Sequence, residues 1–316
     1  MENKEVAILL ATYNGEEYIS EQLDSLLAQT YQNFVCYIHD DGTTDETPSI
    51  IEEYIKKHPD KFIKLTYETS GGAKNNFFSL MRKMEKREHL YYMFCDQDDV
   101  WMPEKIEILV EEIKRISKDN PHSPSLVFSD LCVTDSRLNI KYDSFLRSSG
   151  KNGTRTDFNL LLAENVVAGC SCIFNRDLLK LAVAPVDLQN VYMHDWWIAL
   201  IASAYGNIKY IDRPTVFYRQ HDDNSVGTSA RNSLNRRIDR IKKIITLRIF
   251  HDAHNDVMTR SRQAKELEKI NLPGPYSDIV SEFAGFENKN KIARVMFMRN
   301  NRIYRNIRPW LLVICA

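Results

Sequence analysis

The sequence predicts an α/β fold, a mostly parallel sheet flanked by helices, with a C-terminal helical extension. Two observations carry this. Runs rich in β-branched and aromatic residues alternate with segments of helical period through the first half. That alternation is the pattern of parallel strands joined by crossover helices and covered on both faces. In addition, three of the runs end in polar clusters, and ligands of such sheets collect beyond the carboxyl ends of the strands.

The elements follow in order. "EVAILLATY" (5–13) and "FVCYIHD" (34–40) read as strands, separated by a helix with Ile19, Leu23, Leu26 and Leu27 on one face. A second helix, with Thr44 or Asp45 as N-cap, buries Ile50, Ile51, Tyr54 and Ile55. Then come a strand over 62–68, a helix over 74–86, a strand over 90–96 and a helix from Pro103 to about 117. Pro103 suits a first turn, where the missing N–H is an orphan anyway. "VAGCSCIF" (167–174) reads as a strand entry of small residues.

The polar clusters are "TYNG" (12–15), "DDGTTD" (40–45) and "DQDD" (96–99). Carboxylates crowded at a strand end repel one another and pay for desolvation, so a divalent cation or several donors must neutralise them. Oxygen ligands at this spacing suit Mg2+ or Mn2+. A short Asp-x-Asp is also ordinary helix-cap and loop chemistry, and the two polar strand ends upstream favour the metal reading.

Composition bounds the remaining classes. Residues 1–228 carry 24 Lys and Arg against 35 Asp and Glu, whereas residues 229–316 carry 18 against 8. Net charges of −11 and +10 imply different partners for the two parts. Six scattered cysteines without a C-x-x-C pair suggest neither a zinc site nor a disulfide framework, and fit a reducing cytoplasm. No signal-like segment and no apolar run of about 20 residues is present. P-loop, G-x-G-x-x-G and H-E-x-x-H patterns are missing, as is any nucleic-acid reader motif.

"ILLATYNGEEYISEQLDSLLAQTY", "DDGTTDETPSII", "GGAKNNF", "FCDQDDVWMPEKIE", "MHDWWIALIASAYG" and "YRQHDDNSVG", in this order over about residues 4–228, resemble an inverting family 2 glycosyltransferase. Within that family they are most similar to bacterial polysaccharide rhamnosyltransferases. The resemblance implies a Rossmann-like GT-A catalytic domain over 1–228, a nucleotide-sugar donor and an Mn2+ or Mg2+ cofactor. It implies that Thr12, Tyr13 and Asn14 cradle the base, that Asp40 or Asp41 accepts a base N–H, and that Lys74 helps hold the nucleotide. Asp96 would contact the ribose, with Gln97 beside it in the nucleotide-sugar site. Asp98 and His221 would bind the metal, and Asp99 would support the loop.

Inversion needs one carboxylate to take the acceptor's proton. The resemblance assigns this to Asp195 of "MHDWW", which also sits where a helix N-cap is expected. His194, Trp196, Trp197 and Gly169 would line the acceptor side, the tryptophans as a sugar-stacking wall. The implied reaction moves L-rhamnose from dTDP-β-L-rhamnose to a saccharide or lipid-linked acceptor of cell-wall or capsular polysaccharide. Other donors, such as UDP-galactose or UDP-N-acetylhexosamine, and a non-catalytic scaffolding role stay open.

Residues 229–316 form a separate basic helical region. "RNSLNRRIDRIKKIITLRIF" (231–250) places Leu234, Ile238, Ile241, Ile244, Ile245 and Ile249 at helical spacing among cations, and 289–316 adds seven more. A basic amphipathic helix can lie on anionic lipid, which would put the protein peripherally at the inner face of the cell membrane. Packing on the catalytic domain or on a partner subunit is the other reading.

Overall fold

A computed structural model describes residues 4–221 and 248–305. The first half alternates as expected: β1 (Val6–Thr12), α1 (Ile19–Leu27), β2 (Phe34–Asp40), α2 (Thr47–Lys57), β3 (Phe62–Lys64), α3 (Ala73–Met84) and β4 (Tyr91–Cys95). A short β5 (Val100–Trp101) precedes α4 (Lys105–Ile116). The strand expected over 62–68 stops early, and its continuation forms a loop whose Ser70 and Gly72 bind the Asp41 carboxylate. Next come β6 (Ser125–Thr134), β7 (Ile140–Tyr142), α5 (Phe145–Ser149), α6 (Phe158–Leu161), β8 (Cys172–Asn175), α7 (Arg176–Ala182), α8 (His194–Tyr205) and β9 (Asn207–Arg219). Three helices close the described chain: α9 (Arg248–Glu268), α10 (Gly274–Ala284) and α11 (Lys291–Asn300).

The strands make one nine-stranded sheet of order β3-β2-β1-β4-β8-β6-β9-β5, with β7 added to β6. Pairs β1–β2, β1–β4, β2–β3 and β6–β9 are parallel, and β8 is antiparallel to both neighbours. This reversal matters for the site. Because β8 runs against β4, the segment just before it, Gly169–Ser171, lies at the carboxyl edge of β4.

Strand β1 shows why both faces must be covered. Ala7 and Leu9 belong to a buried cluster with Phe77, Phe78 and Trp197, while Val6, Ile8 and Leu10 join Leu23, Leu26, Ile106 and Leu109 on the other face. The period of two in side-chain direction sends alternate residues into different layers. The first cluster continues into Val257, Leu267, Val280, Phe283 and Met298 of the C-terminal helices. Helix α8 lies in this layer, which is why it is apolar nearly all round.

The expected boundary at 228/229 and most of the basic segment 231–250 lie outside the described residues. Among the described residues, no helix is long and apolar enough to cross a membrane.

Candidate active site

Parallel register sets the three polar clusters side by side, with Thr12 opposite Asp40 and Leu10 opposite Cys95. Tyr13 N–H donates to Gln97 Oε1 at 2.8 Å, and Gln97 Nε2 donates back to Tyr13 O at 2.8 Å. Gly15 makes that clasp possible, since a Cβ there would meet Gln97 Oε1 at 2.4 Å. Asn14, at φ 45°, accepts from Thr44 N–H at 3.0 Å. Asp40 accepts from Thr12 Oγ1 and Thr43 N–H, each at 3.0 Å. Asp41 accepts from Ser70 Oγ and Gly72 N–H, each at 2.7 Å. Burial would raise the Asp41 carboxyl, but the Gly72 and Ser70 donors outweigh it and hold it below its usual range. Both aspartates thus brace loops with part of their accepting capacity, and Tyr13 stays 56% exposed at the rim.

The carboxylates beyond β4 divide by depth. Asp98 Oδ2 lies 2.9 Å from His221 Nε2 at the accessible edge, and the His221 ring packs 4.9 Å from that of Tyr18. Asp99 is fully buried and accepts the Arg219 N–H at 3.1 Å. Arg219, also buried, donates from Nε to Asp98 O at 2.7 Å and reaches Ser136 O and Glu21. Beneath the loop, fully buried Lys105 sits 3.0 Å from the Trp101 ring centroid and donates to Cys170 O. Burial lowers its ammonium to about 8.

Burial, then the neighbouring charges of Asp98 and Asp195, raise the Asp96 carboxyl to about 7, and burial also pushes Asp99 up. This surplus of negative charge is what a divalent cation would relieve, and the accessible Asp98–His221 pair offers O and N ligands for one. A deeper trio, Asp96, Asp99 and Cys170, has ligand atoms within 4.8 Å of one another. Its thiol is held protonated by burial, so it suits a hard cation less well.

Asp195 occupies the first turn of α8, half-buried, with Oδ2 accepting from Gly169 N–H at 3.2 Å and Oδ1 from Trp196 N–H at 2.6 Å. Gly169 permits this approach, because a Cβ there would lie 2.8 Å from His194 Nε2. Burial raises the Asp195 carboxyl to about 6, against the pull of the Trp196 N–H and of nearby Lys151. Asp96 and Asp195 therefore stand within electrostatic reach of each other.

Three side chains expected on the acceptor side and one expected on the donor side have other engagements in the structure. Trp197 is 0% exposed and donates to Ala182 O at 3.0 Å, and buried Trp196 donates to Leu161 O at 2.7 Å. Rings enclosed on every side cannot stack on a sugar. They are core because α8 is packed between the sheet and the helices α6 and α7. Tyr192, 45% exposed and 4.9 Å from the Trp196 ring, is the accessible aromatic beside them. His194 is buried against Phe77 and Phe94, and burial lowers its imidazole to about 3, so it packs as a neutral ring. Lys74 is engaged elsewhere: its Nζ donates to Leu188 O at 2.5 Å and Val191 O at 2.8 Å, tying down the loop that leads into α8. Sequence reasoning missed Arg219, Lys105 and Lys151, which read as solvated cations until tertiary contacts bury them.

The sheet edge thus brings the aspartates that follow β4 to the same end as Asp195 of α8. Residues 7–181, more than half of the chain, match Glycosyl transferase family 2, and the chain belongs to that family. Over 228 residues it is 31% identical to the dTDP-rhamnosyl transferase RfbG of Shigella flexneri, an alignment covering 70% of this chain and 74% of that enzyme. It is also 26% identical over 194 residues to the uncharacterized glycosyltransferase RP339 of Rickettsia prowazekii, covering 61% of this chain and 57% of that protein. Among solved structures, S. aureus TarS 1–349 in complex with UDP-GlcNAc aligns with a TM-score of 0.58 at 18% identity, over 94% of this chain and 79% of that one. That likeness shows the GT-A fold.

Proposed function

We propose that the protein is an inverting rhamnosyltransferase, moving L-rhamnose from dTDP-β-L-rhamnose to a saccharide or lipid-linked acceptor in cell-wall or capsular polysaccharide assembly. One observation carries the transferase reading: the half-buried carboxylate of Asp195 accepts from the N–H of Gly169, in the segment that lies at the carboxyl edge of β4 where Asp96, Asp98 and Asp99 follow. The rhamnosyl donor is supported by the relative at 31% identity.

The base sits against Thr12, Tyr13 and Asn14, with a remaining lone pair of Asp40 or Asp41 accepting its N–H. Asp96 takes the ribose, and Gln97 keeps the rim closed through Tyr13. Asp98 and His221 would hold Mn2+ or Mg2+, which when bound would supply positive charge to neutralise the donor diphosphate. Arg219 and Asp99 fix the loop from below, and Lys74 fixes the loop ahead of α8.

Asp195 then accepts the proton of the acceptor hydroxyl while that oxygen attacks the anomeric carbon. A C–O bond forms on one face as the bond to the diphosphate breaks on the other, giving an α-L-rhamnoside. A carboxyl held near 6 is ionised at neutral pH and more basic than a free aspartate. Contact of the basic C-terminal region with the inner face of the cell membrane completes the proposal.

A panel of dTDP-, UDP- and GDP-sugars, each with Mn2+ or Mg2+, tests the donor by thermal shift and by transfer. The largest stabilisation and turnover are expected with dTDP-rhamnose. Turnover with a UDP-hexose alone would replace rhamnose as the donor sugar. Binding without turnover of any donor would favour a scaffolding role.

A further inference from the structure

Against the loop that leads into α8, the C-terminal helices bring in positive charge that the proposed transfer reaction does not use. Arg260, on α9, is 1% exposed and pairs through Nη2 with Asp256, yet its Nε and Nη1 have no hydrogen-bond partner among the described residues. Arg305, past α11, pairs with the same Asp256 oxygen, and its Nε is likewise buried and unpartnered. Two guanidiniums thus share one carboxylate, leaving a net cation and three unmet donors. A buried, unmet donor is costly, the more so on a charged group, so folded proteins seldom retain one without a use. Guanidinium N–H groups fan out in a planar fork matched to phosphate and carboxylate oxygens.

The cluster's position gives it a function. Gln263, one turn after Arg260 on α9, accepts the Tyr192 N–H at 2.7 Å, so the turn that carries Arg260 is fixed to the loop ahead of α8. Tyr192 lies three residues before Asp195. From the other side, Lys151 stands within electrostatic reach of Arg305, Glu164 and Asp195 together. Arg155 donates to Tyr304 O at 2.8 Å, fixing the segment that carries Arg305 against the catalytic domain.

We propose that Arg260 and Arg305 form a binding site for a phosphate-type oxyanion carried by the acceptor, beside the candidate base. This rests on Asp195 marking the acceptor side of a transferase. Three unmet donors on two guanidiniums match the three free oxygens of a phosphate monoester better than the two of a carboxylate. An acceptor attached to a lipid or polymer through a phosphate ester would be seated by that group, with its sugar hydroxyl brought toward Asp195. The C-terminal helices would then supply acceptor recognition as well as packing.

The test titrates inorganic phosphate into the full chain by calorimetry, with dTDP and Mn2+ present in excess so that phosphate cannot score in the donor pocket. Arg305 is partly exposed, so Arg305→Ala should fold. It is expected to weaken phosphate binding about tenfold or more, the size of a lost charged hydrogen bond, with dTDP affinity unchanged. Arg305→Lys should recover only part of the loss. Vesicles of phosphatidylglycerol, added as competitor, identify the source. Competition lost in Arg305→Ala assigns the site to a lipid phosphate, and phosphate binding without competition assigns it to a soluble or saccharide-linked one. Absence of phosphate binding by the unaltered chain, or equal binding by Arg305→Ala, overturns the proposal. If dTDP fails to bind while phosphate still depends on Arg305, the donor reading fails and this site stands.

Discussion

The rim that joins Tyr13, Gln97, Asp40 and Asp41 closes on itself, whereas the seam between α8 and the C-terminal helices depends on segments far away in sequence. At the edge, Tyr13, Gln97, Asp40, Asp41 and their loop partners all come from the first hundred residues. At the seam, Asp187 N–H donates to Glu266, Arg155 reaches Tyr304, and Tyr205 donates to Ile270 O. The lesson concerns division of labour. The rim is assembled by the first hundred residues alone, while the Asp98–Asp99 loop takes its anchors from Arg219 and His221, and the loop and helix presenting Asp195 are positioned by contacts from both halves of the chain.

The sharpest way to break this contrast is Asp195→Asn. Amide geometry is close to that of the carboxylate, so the fold and the donor edge should survive, while the proton acceptor is lost. Transfer is expected to fall by about 10³–10⁴-fold, the upper range for a general base, with dTDP affinity retained by calorimetry. Appreciable residual turnover would remove Asp195 from the chemistry.

Trp197→Ala probes the seam from its core side. A fully buried indole should cost about 3–5 kcal/mol of stability when truncated, read as a lower midpoint in denaturant, with the acceptor KM of the folded protein little changed. Unaltered stability with a raised acceptor KM would restore the ring to a sugar-stacking wall. Asp98→Ala tests the edge. The increment that Mn2+ adds to dTDP affinity should disappear, a loss of about 100-fold if the ion neutralises diphosphate charge. An unchanged increment would move the ion to other ligands.

How far the sequence could be read follows the same line between edge and seam. β1, β2, β4 and their helices were legible because periodicity and turn residues are local signals, and three polar strand ends share one edge by the rule for parallel sheets. Local signals still misplace ends: α2 begins at Thr47, although the expected cap Asp45 does accept the Thr47 N–H at 3.0 Å. β6 and β9 were not drawn from the sequence, since β6 is buried on both faces yet carries Ser129, Asp130 and Thr134, which blur any alternation. Lys105 and Arg219 look like ordinary surface cations in one dimension, and only tertiary packing places them under the acidic loop. The paired tryptophans misled for the converse reason, because proximity to Asp195 in sequence says nothing about which way a helix faces once both its sides are covered.

The finest comparison of edge and seam lies in the pH dependence of turnover. Burial pushes the Asp195 carboxyl up to about 6, and Lys151 is one of the groups pulling it down. Only the ionised form can accept a proton, so turnover should rise with pH, by about tenfold per unit below the midpoint, and level off above it. His194, lowered to about 3, stays neutral throughout this range and adds no limb. Lys151→Met removes a cation that favours the carboxylate, so the rising limb should move to higher pH. The variant should be slower near pH 6 and should recover on the plateau, whereas Lys151→Arg should keep the original midpoint. A limb that stays in place after Lys151→Met would show that the seam shapes the base through burial alone. An upward shift would show that a residue beside Arg305 tunes a base whose opposite neighbour is the acidic edge.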